Sequence, residues 1–272
     1  MNNTRPIIVG GCYRSGTSLV RRLLDSHPRI HCGPEVKFFR DFYSDYLDVE
    51  DPIGHLRFMT TARSLISDED LLEILGSAFV KIHERAARAV GKARWADKTP
   101  ENIVFLDEWE RLLGHEWIFV HVARNPLDTL ASIEEARFPK SIPARLDDRI
   151  DLYLKYNLTG LEFATANPDY YVRILYEDLV RNPEVTVQRL MTSLGESFHA
   201  EQLAINAFPH QSGLEDPKVA GASEIYESSL GRWRQTLSVE DSEAIRRRTA
   251  MVWARLDPEG SHEDCLIPVP GA

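Results

Sequence analysis

The sequence predicts a three-layer α/β/α fold around a central, mostly parallel sheet. Three observations carry that expectation. Short β-branched runs alternate with helix-length amphipathic segments along all 272 residues. The first such run passes through a glycine-rich turn straight into a helix. No repeat, low-complexity stretch or linker divides the chain, so one domain over 1–272, with 257–272 as a C-terminal tail, is expected.

The elements follow in order. Residues 6–10 read as a buried strand, and 17–26 as a helix with Leu19, Val20, Leu23 and Leu24 on one face. Residues 30–32 read as a short strand and the aromatic run 38–46 as a helix. Residues 68–90 form a long helix on the spacing of Leu71, Leu72, Leu75, Phe79 and Ile82, with Ser67 at its N-cap. A strand at 94–97 and a helix at 102–113, ended by Gly114, come next. The run 117–123 is the second clear buried strand, followed by helices at 127–137 and 147–166 and a strand at 170–175. A helix at 184–194 ends at Gly195, a short one fits 200–207, the stretch 208–230 reads as loop, and 238–256 is the last helix.

Composition narrows the function. Forty-two acidic residues against 32 Lys and Arg give a net charge of −10. That argues against non-specific nucleic-acid or anionic-membrane binding, which requires a basic face, and leaves room for a local basic pocket that takes a small anion. No apolar run approaches the ~18 residues of a membrane span, and the N-terminal stretch is too short for a secretory core, so a cytoplasmic protein is expected. Cys12, Cys32 and Cys265 are scattered with no metal-ligand spacing and read as reduced thiols.

The first turn carries the chemistry. Residues 7–18 read IIVGGCYRSGTS. Gly11, Gly16 and Ser18 stand where a phosphate loop, G-x-x-x-x-G-K-[ST], places them, which makes the fold P-loop-NTPase-like, but Thr17 occupies the lysine slot. The backbone N–H groups of Arg14, Ser15, Gly16, Thr17 and Ser18, with the helix dipole behind them, suit an anion. The strand at 117–123 ends in Arg124, a bidentate phosphate fork, where a triphosphatase has a metal-binding Asp. Ser132 follows about two helical turns on. A surface ion pair for Arg124 and an exposed serine at 132 are the plain alternatives. Together they point to a second phosphate site.

The segment from Arg14 to Ser18, with Arg124 and Ser132 at their spacing, resembles sulfotransferases that use 3′-phosphoadenosine-5′-phosphosulfate (PAPS). The resemblance extends through Tyr176-Glu177-Asp178-Leu179 and Asn182-Pro183-Glu184 to Ser229-Leu230-Gly231-Arg232-Trp233, covering 6–233. It implies that the first motif holds the 5′-phosphosulfate, that Arg124 and Ser132 hold the 3′-phosphate, and that Tyr176, Ser229 and Arg232 complete the donor site. It implies release of adenosine 3′,5′-bisphosphate (PAP), with no metal required.

Asp25-Ser26-His27-Pro28 and the following 32–37 segment resemble the protein-tyrosine sulfotransferase branch, which points to Glu35 as the base. Pro34 and Lys37 stand where that branch commonly has glutamate and arginine. Read without the resemblance, Glu35 is a dipole-serving carboxylate at a helix N-terminus. Lys98, in Trp95-Ala96-Asp97-Lys98-Thr99-Pro100, is implied to stabilise charge on the transferred group, with Arg14 sharing that role. His31 is the reserve base, and His121 reads as a core histidine.

The implied reaction is metal-free in-line sulfuryl transfer to a hydroxyl on a sugar, phenol, alcohol or tyrosine. A P-loop nucleotide or small-molecule kinase and a catalytically inactive nucleotide-binding module are the alternatives. The acceptor side falls to the segments 38–59 and 138–149. Phe38, Phe39, Phe42, Tyr43 and Tyr46 line an acceptor pocket or pack the core, and Arg137, Lys140 and Arg145 meet an anionic acceptor or form a solvated face. A homodimer is left open.

Overall fold

The computed structural model describes residues 4–43, 53–136, 142–205, 209–211, 213, 219 and 225–266, with the side chains of 53–57 excepted. Five strands, β1 (Ile7–Gly10), β2 (Ile30–Cys32), β3 (Arg94–Lys98), β4 (Ile118–Ala123) and β5 (Tyr171–Leu175), form one parallel sheet in the order β2-β3-β1-β4-β5. Ile7 pairs with Ala96 on one side and Ile118 on the other, so β1 is central. Helices cover both faces, giving the expected three layers.

Each face has its own core, as period-two alternation requires. Ile8, Trp95 and Phe119 pack under α4 (Asp68–Ala89), α5 (Leu106–Leu113), α6 (Pro126–Ala136) and α7 (Leu146–Ala166). Ile7, Val9, Val120 and Val122 pack under α1 (Thr17–Asp25) and α9 (Pro183–Leu194). This arrangement places the site. β1 and β4 are neighbours, yet α1 leaves β1 toward one face and α6 leaves β4 toward the other. A crevice opens between them at the carboxyl ends of the strands, the place where open α/β sheets bind ligands.

The aromatic run forms α2 (Phe38–Tyr43) and packs as core rather than as a pocket wall: Phe39 and Phe42 are buried, and Phe38 stacks on Phe79 at 4.5 Å. Tyr46, Arg137, Lys140 and the 267–272 part of the tail lie outside the described residues.

Other departures have local causes. Three α-helices among the described residues were not expected: α3 (Ile53–Leu65), which exposes Phe58 and Leu65, α8 (Tyr176–Arg181), which follows β5 without a break, and the single turn Trp233–Thr236. The helix expected over 102–113 is a 3₁₀ turn, Pro100–Val104, followed by α5, with Phe105 off helical geometry between them. Asn102 explains the split, because its amide donates to Val9 O at 3.0 Å and Asp97 Oδ1 at 2.7 Å and so binds the turn to the sheet. The expected helix at 200–207 is a 3₁₀ turn, Ala200–Leu203, closed by a His199–Gln202 capping box; 206–208 are not described. The chain continues through α10 (Trp233–Thr236) and α11 (Val239–Leu256). No helix among the described residues is long and apolar enough to cross a membrane. All three cysteines are buried free thiols, and burial pushes Cys12 up to about 12.

Candidate active site

The β1–α1 loop is shaped for close approach. Arg14 adopts φ 67° and Gly16 φ 96°, two left-handed residues in three. A methyl on Gly16 would lie 2.4 Å from Tyr176 Cδ2, so glycine is required twice over. α1 starts at Thr17 with no side-chain cap, leaving first-turn N–H groups to face the crevice. The amide of Ser15 does not join them, since it donates to Cys12 O at 3.2 Å; the expected convergence of every N–H from Arg14 to Ser18 is short by one. Ser15 Oγ is buried and has no hydrogen-bond partner among the described residues. Thr17 and Ser18 are buried beneath the loop.

A cleft of about 870 Å³, counting its open mouth, lies beside the loop. Arg14, Gly16, Arg124, Ser132, Tyr176 and Ser229 line it. Arg14 Nε donates to Ser132 Oγ at 3.0 Å, across 118 residues of sequence. Arg124 donates to Arg14 O at 3.1 Å and to Ser229 O at 2.6 Å, and its guanidinium lies 4.5 Å from the centre of the Tyr176 ring. Its Nε is buried with no partner among the described residues. Together with Ser15 Oγ this is an unmet polar demand beside a helix N-terminus. Tyr176 hydroxyl meets Ser229 Oγ at 2.5 Å, and burial raises the phenol above its ordinary value. Arg232 stands at the rim, paired with Glu135 at 2.8 Å.

Asp128 fastens the cover of this cleft. It is buried at the start of α6, where Asn125 Oδ1 accepts its N–H at 2.8 Å. Asp128 Oδ2 accepts Gly231 N at 2.8 Å and Oδ1 accepts Trp233 N at 3.1 Å. Asn125 in turn donates its backbone and side-chain N–H groups to Glu177 Oε1, and burial raises the Glu177 carboxyl. The 229–233 segment is therefore held by β4, α6 and α8 together.

The second pair meets on the other side of the loop. Lys98, at the end of β3 and fully buried, donates to Glu35 Oε1 and reaches Ser18 Oγ at 3.4 Å. Lys37 Nζ stands 3.9 Å from Glu35 Oε2. Arg21, buried on α1, fixes the approach to Glu35 by donating to Gly33 O at 2.7 Å and to Gln211 O at 3.0 Å. His31 lies apart. Its Nδ1 meets Asp25 Oδ1 at 3.1 Å, and its ring lines another cavity with His27, Lys92 and His199, one that contains no residue of the loop. His121 is a core histidine, with Nδ1 2.8 Å from Tyr171 hydroxyl.

The structure thus brings Arg14, Gly16, Arg124, Ser132, Tyr176, Ser229 and Arg232 to one cleft, and Glu35 and Lys98 to the Ser18 end of the same loop. Sequence reasoning missed Arg21 and Asp128. Only Asp128 carried a local signal: three residues after Asn125 and two after Pro126, it completes a helix-start pattern.

The profile described as "Sulfotransferase family" matches residues 6–200. A Caenorhabditis briggsae protein, provisionally named a protein-tyrosine sulfotransferase, is 24% identical over 200 residues, covering 72% of this chain and 68% of its own length. The sulfotransferase domain from the Synechococcus PCC 7002 olefin synthase shares the fold, with TM-score 0.62 and 19% identity over 92% of this chain and 96% of that one. Mouse sulfotransferase SULT7A1, solved with PAP, aligns with TM-score 0.50 and 13% identity over 98% and 89% of the two chains. The chain spans about two thirds of the length of two of the curated relatives it matches, 68% and 65%. With all five strands of the sheet and both halves of the crevice inside the matched residues, the chain belongs to the sulfotransferase family and is a sulfotransferase enzyme.

Proposed function

We propose that this enzyme transfers a sulfuryl group from PAPS to a hydroxyl acceptor, without a metal ion. The observation that carries the reading is the meeting of Glu35 and Lys98, 63 residues apart, against Ser18 of the anion loop. A proton acceptor and a cation then stand at the end of an anion site, which is the minimum that sulfuryl transfer needs.

PAPS supplies the activated sulfuryl group and a stable bisphosphate leaving group. The rest falls to the protein, because a loose in-line transition state leaves mainly positioning and charge stabilisation to be done. The loop from Arg14 to Ser18 holds the 5′ end, Arg124 and Ser132 hold the 3′-phosphate, and Tyr176 and Ser229 close the cleft between them. The orphaned Arg124 Nε and Ser15 Oγ support this fit. Glu35 takes the proton of the acceptor hydroxyl, and Lys98, released from Glu35 as that proton arrives, stabilises charge on the departing side. Arg14 rests on Ser132, so its share in charge stabilisation requires the guanidinium to turn from that hydroxyl. The relatives' names favour a tyrosine hydroxyl as the first acceptor to try.

Incubation with labelled PAPS and a panel of a tyrosine peptide, a simple phenol, a sugar and an aliphatic alcohol tests the reading. Label on one acceptor class, undiminished by EDTA, is the expected result. Transfer of the γ-phosphate of magnesium ATP instead, with no sulfation, would make the chain a kinase of the alternative class.

A further inference from the structure

We propose that Glu101 is a positioning residue of the transfer reaction: it sets Lys37 against Glu35 and so fixes the orientation of the base carboxylate. The inference rests on the reading of Glu35 as base.

Glu101 lies in the Pro100–Val104 turn, three residues beyond Lys98, and only 5% of it is exposed. Its Oε1 gathers donors from two other segments. Tyr13 hydroxyl, from the anion loop, donates to it; Arg40 Nη1, from α2, donates at 3.2 Å; and Lys37 Nζ stands at 3.5 Å. Burial and the neighbouring Glu101 charge hold the Tyr13 phenol far above its ordinary value, so Tyr13 remains a donor. Glu101 Oε2 is buried without a partner among the described residues. A carboxylate this enclosed persists only with its charge answered, and Lys37 and Arg40 answer it.

Lys37 is the link to the chemistry. Its ammonium stands between two carboxylates, Glu101 at 3.5 Å and Glu35 Oε2 at 3.9 Å. Lys98 occupies the other oxygen of Glu35. Each oxygen of the base therefore faces a different ammonium. When Lys98 turns to the donor, Lys37 is the remaining cation on Glu35, and Glu101 decides where Lys37 stands. Lys37 also adopts φ 54°, a left-handed conformation that a lysine keeps only where its surroundings impose it. Through Tyr13 the same carboxylate holds the anion loop, so donor site and base share one anchor.

Glu101→Gln keeps the shape and the acceptor for Tyr13 but removes the charge. Lys37→Met, at a partly exposed position, leaves the other Glu101 contacts in place. Each variant is expected to lower kcat about 10- to 100-fold while PAP affinity, measured by calorimetry, stays within about threefold of the parent. Because Glu101 acts through Lys37, the double variant should fall no further than Lys37→Met alone. Parent-like turnover of Lys37→Met, or losses that multiply in the double variant, overturns the inference. Glu35→Ala, run alongside, separates the two readings. Its inactivity together with a parent-like Glu101→Gln overturns this inference alone, whereas parent-like turnover of Glu35→Ala overturns the base assignment and this inference with it.

Discussion

Arg124 donates to the carbonyl oxygen of Arg14 at 3.1 Å, so the end of β4 is bonded to the left-handed residue of the β1–α1 loop. A single guanidinium thereby joins the two halves of the crevice, reaches the cover at Ser229 O and lies over the Tyr176 ring. Lysine has the charge but not the fork. Arg124→Lys is expected to weaken PAP binding by about 10- to 100-fold, the size of ~1.5–3 kcal/mol for charge-assisted bonds. Calorimetry reads this directly; an unchanged dissociation constant would remove Arg124 from the donor site.

Asp128 makes a separate prediction. Its two oxygens accept Gly231 N and Trp233 N, and an amide in its place would turn a donor toward one of those groups or toward Asn125. Asp128→Asn should cost about 1–3 kcal/mol of local stability. Hydrogen exchange at Gly231 and Trp233 is expected to accelerate, and PAP affinity to drop, while amides in the middle of the sheet keep their protection.

His121 gives the pH dependence. Burial lowers its pKa from 6.5 to about 3, so the folded protein keeps the ring neutral. The unfolded chain takes up the proton first as pH falls. The stability His121 contributes is complete above pH 6.5 and is lost as pH falls from 6.5 toward 3. One group supplies at most about 1.4 kcal/mol per pH unit over that window. Denaturant titrations from pH 7 to 4 should show a shallower loss for His121→Gln than for the parent. His27, also lowered by burial, contributes in the same direction to both proteins and drops out of the comparison.

The parts of this molecule legible in its sequence are those written locally. The β-branched run before Gly10, the glycine needed at 16, and the apolar stripe from Leu71 to Phe79 each record a local requirement, and the structure has β1, the loop and α4 there. The helix Tyr176–Arg181 was not legible because Leu175 leads into it with no capping residue or glycine to mark the change. Ile53–Leu65 was not legible because its apolar residues do not keep to one face, as the exposure of Phe58 and Leu65 shows. Arg124, Ser132 and Tyr176 were found through their places in a pattern. Glu101 and Arg21 were not, since their meaning lies in partners up to 190 positions distant, and no local spacing encodes those.

The most direct measurement is the turnover of Glu35→Ala with labelled PAPS and the best acceptor, set beside its PAP affinity. The account predicts that kcat falls by about 10²–10⁴, the usual contribution of a general base, while PAP binds as it does to the parent. Parent-like turnover at saturating donor would contradict it, and would mean that the carboxylate meeting Lys98 beside Ser18 serves the fold and not the reaction.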